Sequence, residues 1–155
     1  MFQYNVSFLK NDHDILMVNR DAKPMPGLWN GIINEIEQKD HPDESVKRKI
    51  FEETNYSVEQ FYSKGTFTWK NEQGETQGIN VYLFTLDQTL MKNKIAKTRD
   101  GILQWKSIDW ILDEENYGVH PILKQGIPKL LEKKGILTFE YTDGNVVQIP
   151  QTSHR

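Results

Sequence analysis

At 155 residues the chain is long enough for one domain with a real core, since chains of this size bury roughly 70% of the surface they expose when unfolded. Its 22 acidic and 19 basic residues leave a net charge of -3, which excludes the broad basic surface of a protein that grips duplex nucleic acid or an anionic membrane. With no cysteine, disulfides, thiolate metal sites and cysteine nucleophiles are excluded together.

The opening stretch MFQYNVSFLK lacks a basic segment followed by a long apolar run, and nothing in the chain approaches eighteen consecutive apolar residues. A soluble cytoplasmic protein is therefore expected. QYNVSFL (residues 3–9) and DILMVNR (14–20) read as a hairpin of two strands around KNDHD. DAKPMPG (21–27) is a loop, marked by its prolines and glycine. LWNGIINEIE (28–37) has strand-like content but alternates poorly. HPDESVKRKIFEETNY (41–56) opens with proline and acids in a first turn and continues with Val46 and Ile50 at helical spacing, so a helix from Asp43 to Tyr56 is expected.

Two strands should follow, within 58–70 and 78–86, around the turn NEQGETQ. LMKNKIAKTRDG (90–101) reads as a polar connection, and LQWKSIDWIL (103–112) as a strand running into a short helix. HPILKQGIPKLLEKKG (120–135) is amphipathic and ends in lysines and glycine, as a helix C-terminus should. LTFEYTDGNVVQI (137–149) is a hairpin around Asp-Gly, and residues 150–155 read as a frayed tail. Strands and two helices without regular alternation predict an α+β sandwich with a mixed sheet.

The first helix carries the chemistry. At about 100° per residue, Val46 and Ile50 share a side, Glu53 lies beside them, and Lys49 and Glu52 continue the arc, while Lys47 and Phe51 lie elsewhere. An acid at the edge of a buried face needs a counter-charge. Two readings are open: a solvated face laced by the i,i+4 pairs Arg48 with Glu52 and Lys49 with Glu53, or hard oxygen ligands for a divalent ion.

The loop before the helix adds a pattern. GLWNGIINEIEQKDHPDESVKRKIFEETNY resembles the box of the Nudix hydrolases: glycine, five residues, glutamate, seven residues, Arg-Glu, an apolar residue, any residue, Glu-Glu, any residue, glycine, and an apolar residue. Here the same spacing runs through Asn34, Asp40, Arg48, Lys49, Ile50, Phe51, Glu52, Glu53, Thr54, Asn55 and Tyr56. The identities depart at Asn34 and Asn55 for glycines, Asp40 for glutamate and Lys49 for glutamate. GLWNG, DGILQW and LTFEYTDGNVV resemble stretches of the branch that hydrolyses oxidised purine nucleoside triphosphates.

The resemblance implies a Nudix-type α/β/α sandwich over residues 1–149 with a flexible tail at 150–155. It also implies a hydrolase that cleaves a nucleoside diphosphate linked to another moiety, with Mg2+ or Mn2+ as cofactor. Carried over by position, it makes Glu52, Glu53 and Asp100 metal ligands, joined by the main chain of Ile33, and gives Arg48 the task of orienting an acid of the box. Asn30 matches a residue that bonds the purine edge, Trp29 and Tyr117 are candidate walls for the base, and Arg20 is a candidate phosphate contact. Each has a plainer alternative: Trp29 and Tyr117 as core or rim aromatics, Asp100 as a turn residue, Arg20 as a solvated strand end. The histidines at 13, 41, 120 and 154 show no zinc spacing and read as structural or exposed.

Lys49 sets the chemistry apart. A protonated ammonium neither binds metal nor accepts a proton, and at i,i+4 from Glu53 it can take up the space a cation would fill. Weakened hydrolysis of the nucleotide is expected, with nucleotide binding by a catalytically impaired Nudix-like fold as the alternative. A nucleotide partner is expected in either case, and oligomeric state is not legible.

Overall fold

The structure is a computed structural model and describes residues 3–23, 26–37, 41–58, 62–86, 95–132 and 137–149. Thirteen elements follow in chain order: β1 (Tyr4–Asn11), β2 (Asp14–Arg20), β3 (Trp29–Asn30), β4 (Ile32–Glu35), α1 (Pro42–Thr54), β5 (Tyr62–Lys70), β6 (Thr76–Thr85), β7 (Ile95–Thr98), β8 (Gly101–Ser107), α2 (Ile108–Leu112), α3 (Pro121–Glu132), β9 (Leu137–Thr142) and β10 (Asn145–Ile149). The expected tail and Asp40 lie outside the described residues.

The ten strands among the described residues join one mixed sheet in the order β10-β9-β5-β6-β1-β2-β8-β7, with β3 on β2 and β4 on β1. The β1–β6 and β5–β9 pairs are parallel and the others antiparallel. Alternation along the strands splits the core into two clusters. In β2, Ile15 and Met17 join α2 and α3 residues such as Ile111, Leu123 and Ile127, whereas Leu16 and Val18 join Val46 and Ile50 of α1. Successive side chains point to opposite faces of a strand, so α1 covers one side of the sheet and α3 the other. This is the α+β sandwich read from the sequence.

Two segments were read differently from the sequence. LWNGIINEIE is two short strands pairing different neighbours, and Gly31 between them lets β1 come close: an added Cβ would lie 2.6 Å from the Ser7 carbonyl oxygen. That break explains the poor alternation. The supposed polar connection contains β7, which among the described residues pairs only with β8 and whose exposed and half-buried positions leave a weak apolar signal.

Helix α1 is fixed at both ends. His41 Nδ1 accepts from the Asp43 amide at 3.3 Å, and Pro42 opens the first turn. It ends two residues before Tyr56, where Asn55 takes a left-handed conformation (φ 61°) and donates its amide to the Phe51 carbonyl. Asparagine tolerates that region better than other residues with a side chain, so Asn55 meets the backbone need of the glycine it replaces. Asn34 Nδ2 donates to the buried Ser45 Oγ at 2.6 Å, and Tyr82 donates to Asp43 at 3.0 Å, tying α1 to β4 and β6.

Candidate functional site

The polar face of α1 meets the end of β2, the strand β4 and the β7–β8 turn at a cleft of about 380 Å3. Arg20, Lys23, Arg48, Lys49 and Arg99 line it together with Glu35, Glu37, Glu52 and Asp100. A chain of net charge -3 thus gathers five cationic side chains around one opening. Four carboxylates share the opening, so charges of both signs stand side by side in it.

At the centre stands Lys49. Its ammonium lies 3.0 Å from Glu53 Oε1 and donates a short hydrogen bond to Asp100 Oδ2. The Glu53 side chain is 5% exposed, as expected for an acid at the edge of the buried face. Burial pushes the Lys49 ammonium toward deprotonation, but the bonds and charges of Asp100 and Glu53 outweigh it and hold its pKa above the ordinary lysine value. Glu52 is more exposed and meets the Arg48 guanidinium at 3.9 Å. The i,i+4 pairs of the first sequence reading are thus present, and Lys49 reaches beyond them to the distant Asp100.

Asp100 is held by the backbone. Its amide donates to Thr98 Oγ1, and its carbonyl accepts from the Asp21 amide. Gly101 follows at φ 144°, and a Cβ there would fall 1.9 Å from the Asn19 carbonyl oxygen. Only glycine lets β8 leave the turn against β2 at this angle. Arg20 is buried at the end of β2, opposite Gly101 in the ladder, and donates to the Lys23 carbonyl. Burial lowers its pKa, opposed by the charges of Asp100 and Asp21.

The structure brings Arg20, Ile33, Arg48, Lys49, Glu52 and Asp100 to the cleft, with Glu53 joined through Lys49. The Ile33 side chain is buried in the core beneath. Trp29, Asn30 and Tyr117 line neither this cleft nor the second one described below. Trp29 stands edge-on to Trp110 at 5.8 Å with the Lys106 ammonium over both rings, and Tyr117 is 85% exposed. Asn30 is buried and accepts from the Gly31 amide.

The second cleft, of about 790 Å3, shares Tyr4 with the first. Trp69, Ile79, His120, Ile122 and Tyr141 give it an aromatic and apolar lining, rimmed by Lys70 and Asp143. His120 packs edge-on to Tyr141 at 5.3 Å, and its Nδ1 accepts from the Ile122 amide at the start of α3. Burial lowers its pKa, which favours the neutral ring. The sequence reading missed these residues, because they converge from β1, β5, β6, β9 and the start of α3 without any local motif; alternation of Phe67 and Trp69 in GTFTWK was the only available signal.

The divalent ion that the resemblance implies does not fit this arrangement. The Lys49 ammonium already stands between Glu53 and Asp100, and among the described residues no three His, Cys, Asp or Glu side chains group as a ligand set. Asn34 Oδ1 is buried at the cleft without a hydrogen-bond donor among the described residues, but one carboxamide oxygen does not make a site.

Comparison with known proteins gives consistent findings. A family model described as NUDIX domain matches residues 1–130. Among solved structures, the mutator MutT protein from Bacillus halodurans is 20% identical, with a TM-score of 0.71 over 98% of this chain and 100% of that one. A NUDIX hydrolase from Nitrosomonas europaea is 18% identical, with a TM-score of 0.64 over 88% of this chain and 93% of that one. The NUDIX domain of Shewanella oneidensis NrtR, solved with ADP ribose, is 19% identical, with a TM-score of 0.62 over 84% of this chain and 88% of that one. At these identities the structural likeness establishes the fold.

Proposed function

Because the chain belongs to the Nudix family, we propose that it binds a nucleoside diphosphate linked to a further group and hydrolyses it slowly. The observation that carries this reading is the pair of clefts meeting at Tyr4, one lined by five cationic side chains among four carboxylates and the other by aromatic rings. Phosphates suit the first, where Arg20, Arg48 and Lys49 offer charge-assisted donors. A flat ring suits the second, against the aromatic side chains of Trp69 and Tyr141 that line it.

In the hydrolytic step the oxygen of water forms a bond to one phosphorus as the bridging P–O bond breaks, giving a nucleoside monophosphate and the phosphate of the linked group, which leaves with the bridging oxygen. Glu52 is the carboxylate of α1 that lines the cleft, and it accepts the proton from the attacking water. Slowness follows from position 49, where an ammonium stands in place of a proton-accepting acid. An oxidised purine nucleoside triphosphate, cut to monophosphate and pyrophosphate, is the member of this substrate class to which the WNG stretch points. The bond from Lys49 to Asp100 favours a second reading, binding without turnover.

The test is a panel of nucleoside triphosphates, dinucleotides and nucleotide sugars, incubated with and without Mg2+ or Mn2+, with products identified. Monophosphate should be released, and Glu52→Gln should slow release by about a hundredfold or more. Saturable binding without any product would leave the second reading. No binding by any member of the panel would overturn both.

A further inference from the structure

We propose that Lys49 is a resident cation that takes the place of a divalent ion in the polar cleft, so that phosphate-bearing ligands bind there without metal. The inference deepens the reading of this cleft as a phosphate site, but its first test stands independently of any nucleotide.

The argument begins with charge. Glu53 and Asp100 bring two negative charges to one half-buried spot, which is too costly to leave uncompensated. A divalent ion would balance them in one step. Here Lys49 touches both carboxylates, and Arg20, buried opposite Gly101, adds a second positive charge close by. Two monovalent cations against two carboxylates give the balance that one divalent ion would give.

Geometry adds the second step. A lysine ammonium has three N–H donors. One points to Glu53 and one to Asp100, and Lys49 also lines the cleft, so its third is available to a phosphate oxygen there. A bound phosphate would thus be met directly by the ammonium, with Arg48 of α1 and Arg99 of the β7–β8 turn also lining the cleft. The ammonium is held at one end by a helix and at the other by a strand-bound turn, so its position does not depend on the ligand.

The experiment compares wild type with Lys49→Glu and Lys49→Gln. Binding of Mn2+ alone is read by the loss of its free EPR signal. Wild type should bind Mn2+ at least roughly tenfold more weakly than Lys49→Glu, with Lys49→Gln between them. If Lys49→Glu does not fold, as judged by circular dichroism, Lys49→Gln carries the same comparison with a smaller change. Equal Mn2+ affinity in wild type and variants would overturn the proposal. In a second arm, pyrophosphate and ADP-ribose are titrated into wild type in EDTA and in Mg2+. Affinities within about twofold support it, and loss of binding in EDTA overturns it. Should neither ligand bind under either condition, the functional reading fails while the Mn2+ arm still decides the place of Lys49.

Discussion

The two clefts that meet at Tyr4 are built on opposite principles. The polar cleft is made where chain ends converge: the end of β2, the β7–β8 turn, β4 and one face of α1. Its walls are held by ion pairs and by one glycine in a conformation closed to other residues. The aromatic cleft lies over strand surfaces and the start of α3, and its walls are rings held by packing. Directional contacts fail when a backbone moves by a fraction of an ångström, whereas packed rings lose energy in proportion to what is removed. Damage to the first should therefore appear in folding, and damage to the second in ligand choice.

The most severe break of this contrast is Gly101→Ala. With φ at 144° and the Asn19 carbonyl oxygen 1.9 Å from the added carbon, β8 must shift against β2 and carry Asp100 with it. Strain and overpacking together should cost about 3 kcal/mol in chemical denaturation. Phosphate binding should fall with it, because Lys49 loses one of its two anchors. A variant as stable as wild type would show that the turn adapts and that the glycine does not position Asp100.

Lys49→Met removes charge while leaving the backbone alone. Glu53 and Asp100 then face each other with no cation between them. Breaking a fully buried pair costs roughly 3–5 kcal/mol, and the partial exposure of Lys49 and Asp100 reduces this to about 2 kcal/mol. Urea melts at neutral pH check it. A change below about 0.5 kcal/mol would mean that the carboxylates are neutralised by something other than Lys49.

The same contrast governs what could be read from the sequence. Glu52, Glu53, Arg48 and Lys49 were legible because helix geometry converts a spacing of three or four residues into a shared face. Asp100 was reached only through the family likeness, since nothing local joins it to a helix about fifty residues earlier. The bridge that unites it with Lys49 came from the structure. The aromatic cleft was barely legible: Tyr4, Trp69 and Tyr141 meet through pairing of distant strands and His120 joins them from the start of α3, which local periodicity does not encode. Trp29, read from the family likeness as a candidate base wall, stands against Trp110 and Lys106, neighbours that no local pattern announced.

For the aromatic cleft, Trp69→Ala is the sharper probe. Stacking of a base on an aromatic ring is worth about 1–3 kcal/mol, so affinity for a nucleotide should drop roughly tenfold. Affinity for inorganic pyrophosphate, which has no ring, should stay the same. Calorimetric titrations of both ligands read the split. Equal losses would mean that Trp69 supports the protein as a whole and that the base lies elsewhere.

The smallest effect is a matter of pH. His120 Nδ1 caps α3 by accepting from the Ile122 amide, and burial lowers the pKa of the ring in the folded protein. A lowered histidine pKa means that the unfolded chain binds the proton more readily, so the contribution is complete above the unfolded value of about 6.5 and is lost as pH falls below it. Protonation also removes the lone pair that caps the helix, a loss of at most about 1 kcal/mol. His120→Asn keeps a capping oxygen and cannot take up a proton in this range. Wild type should therefore lose stability relative to His120→Asn between pH 7 and 5, while Asp143 and Lys70 at the rim remain common to both. Parallel stability curves would show that the imidazole titrates alike in folded and unfolded chains, and that the cleft does not hold it neutral.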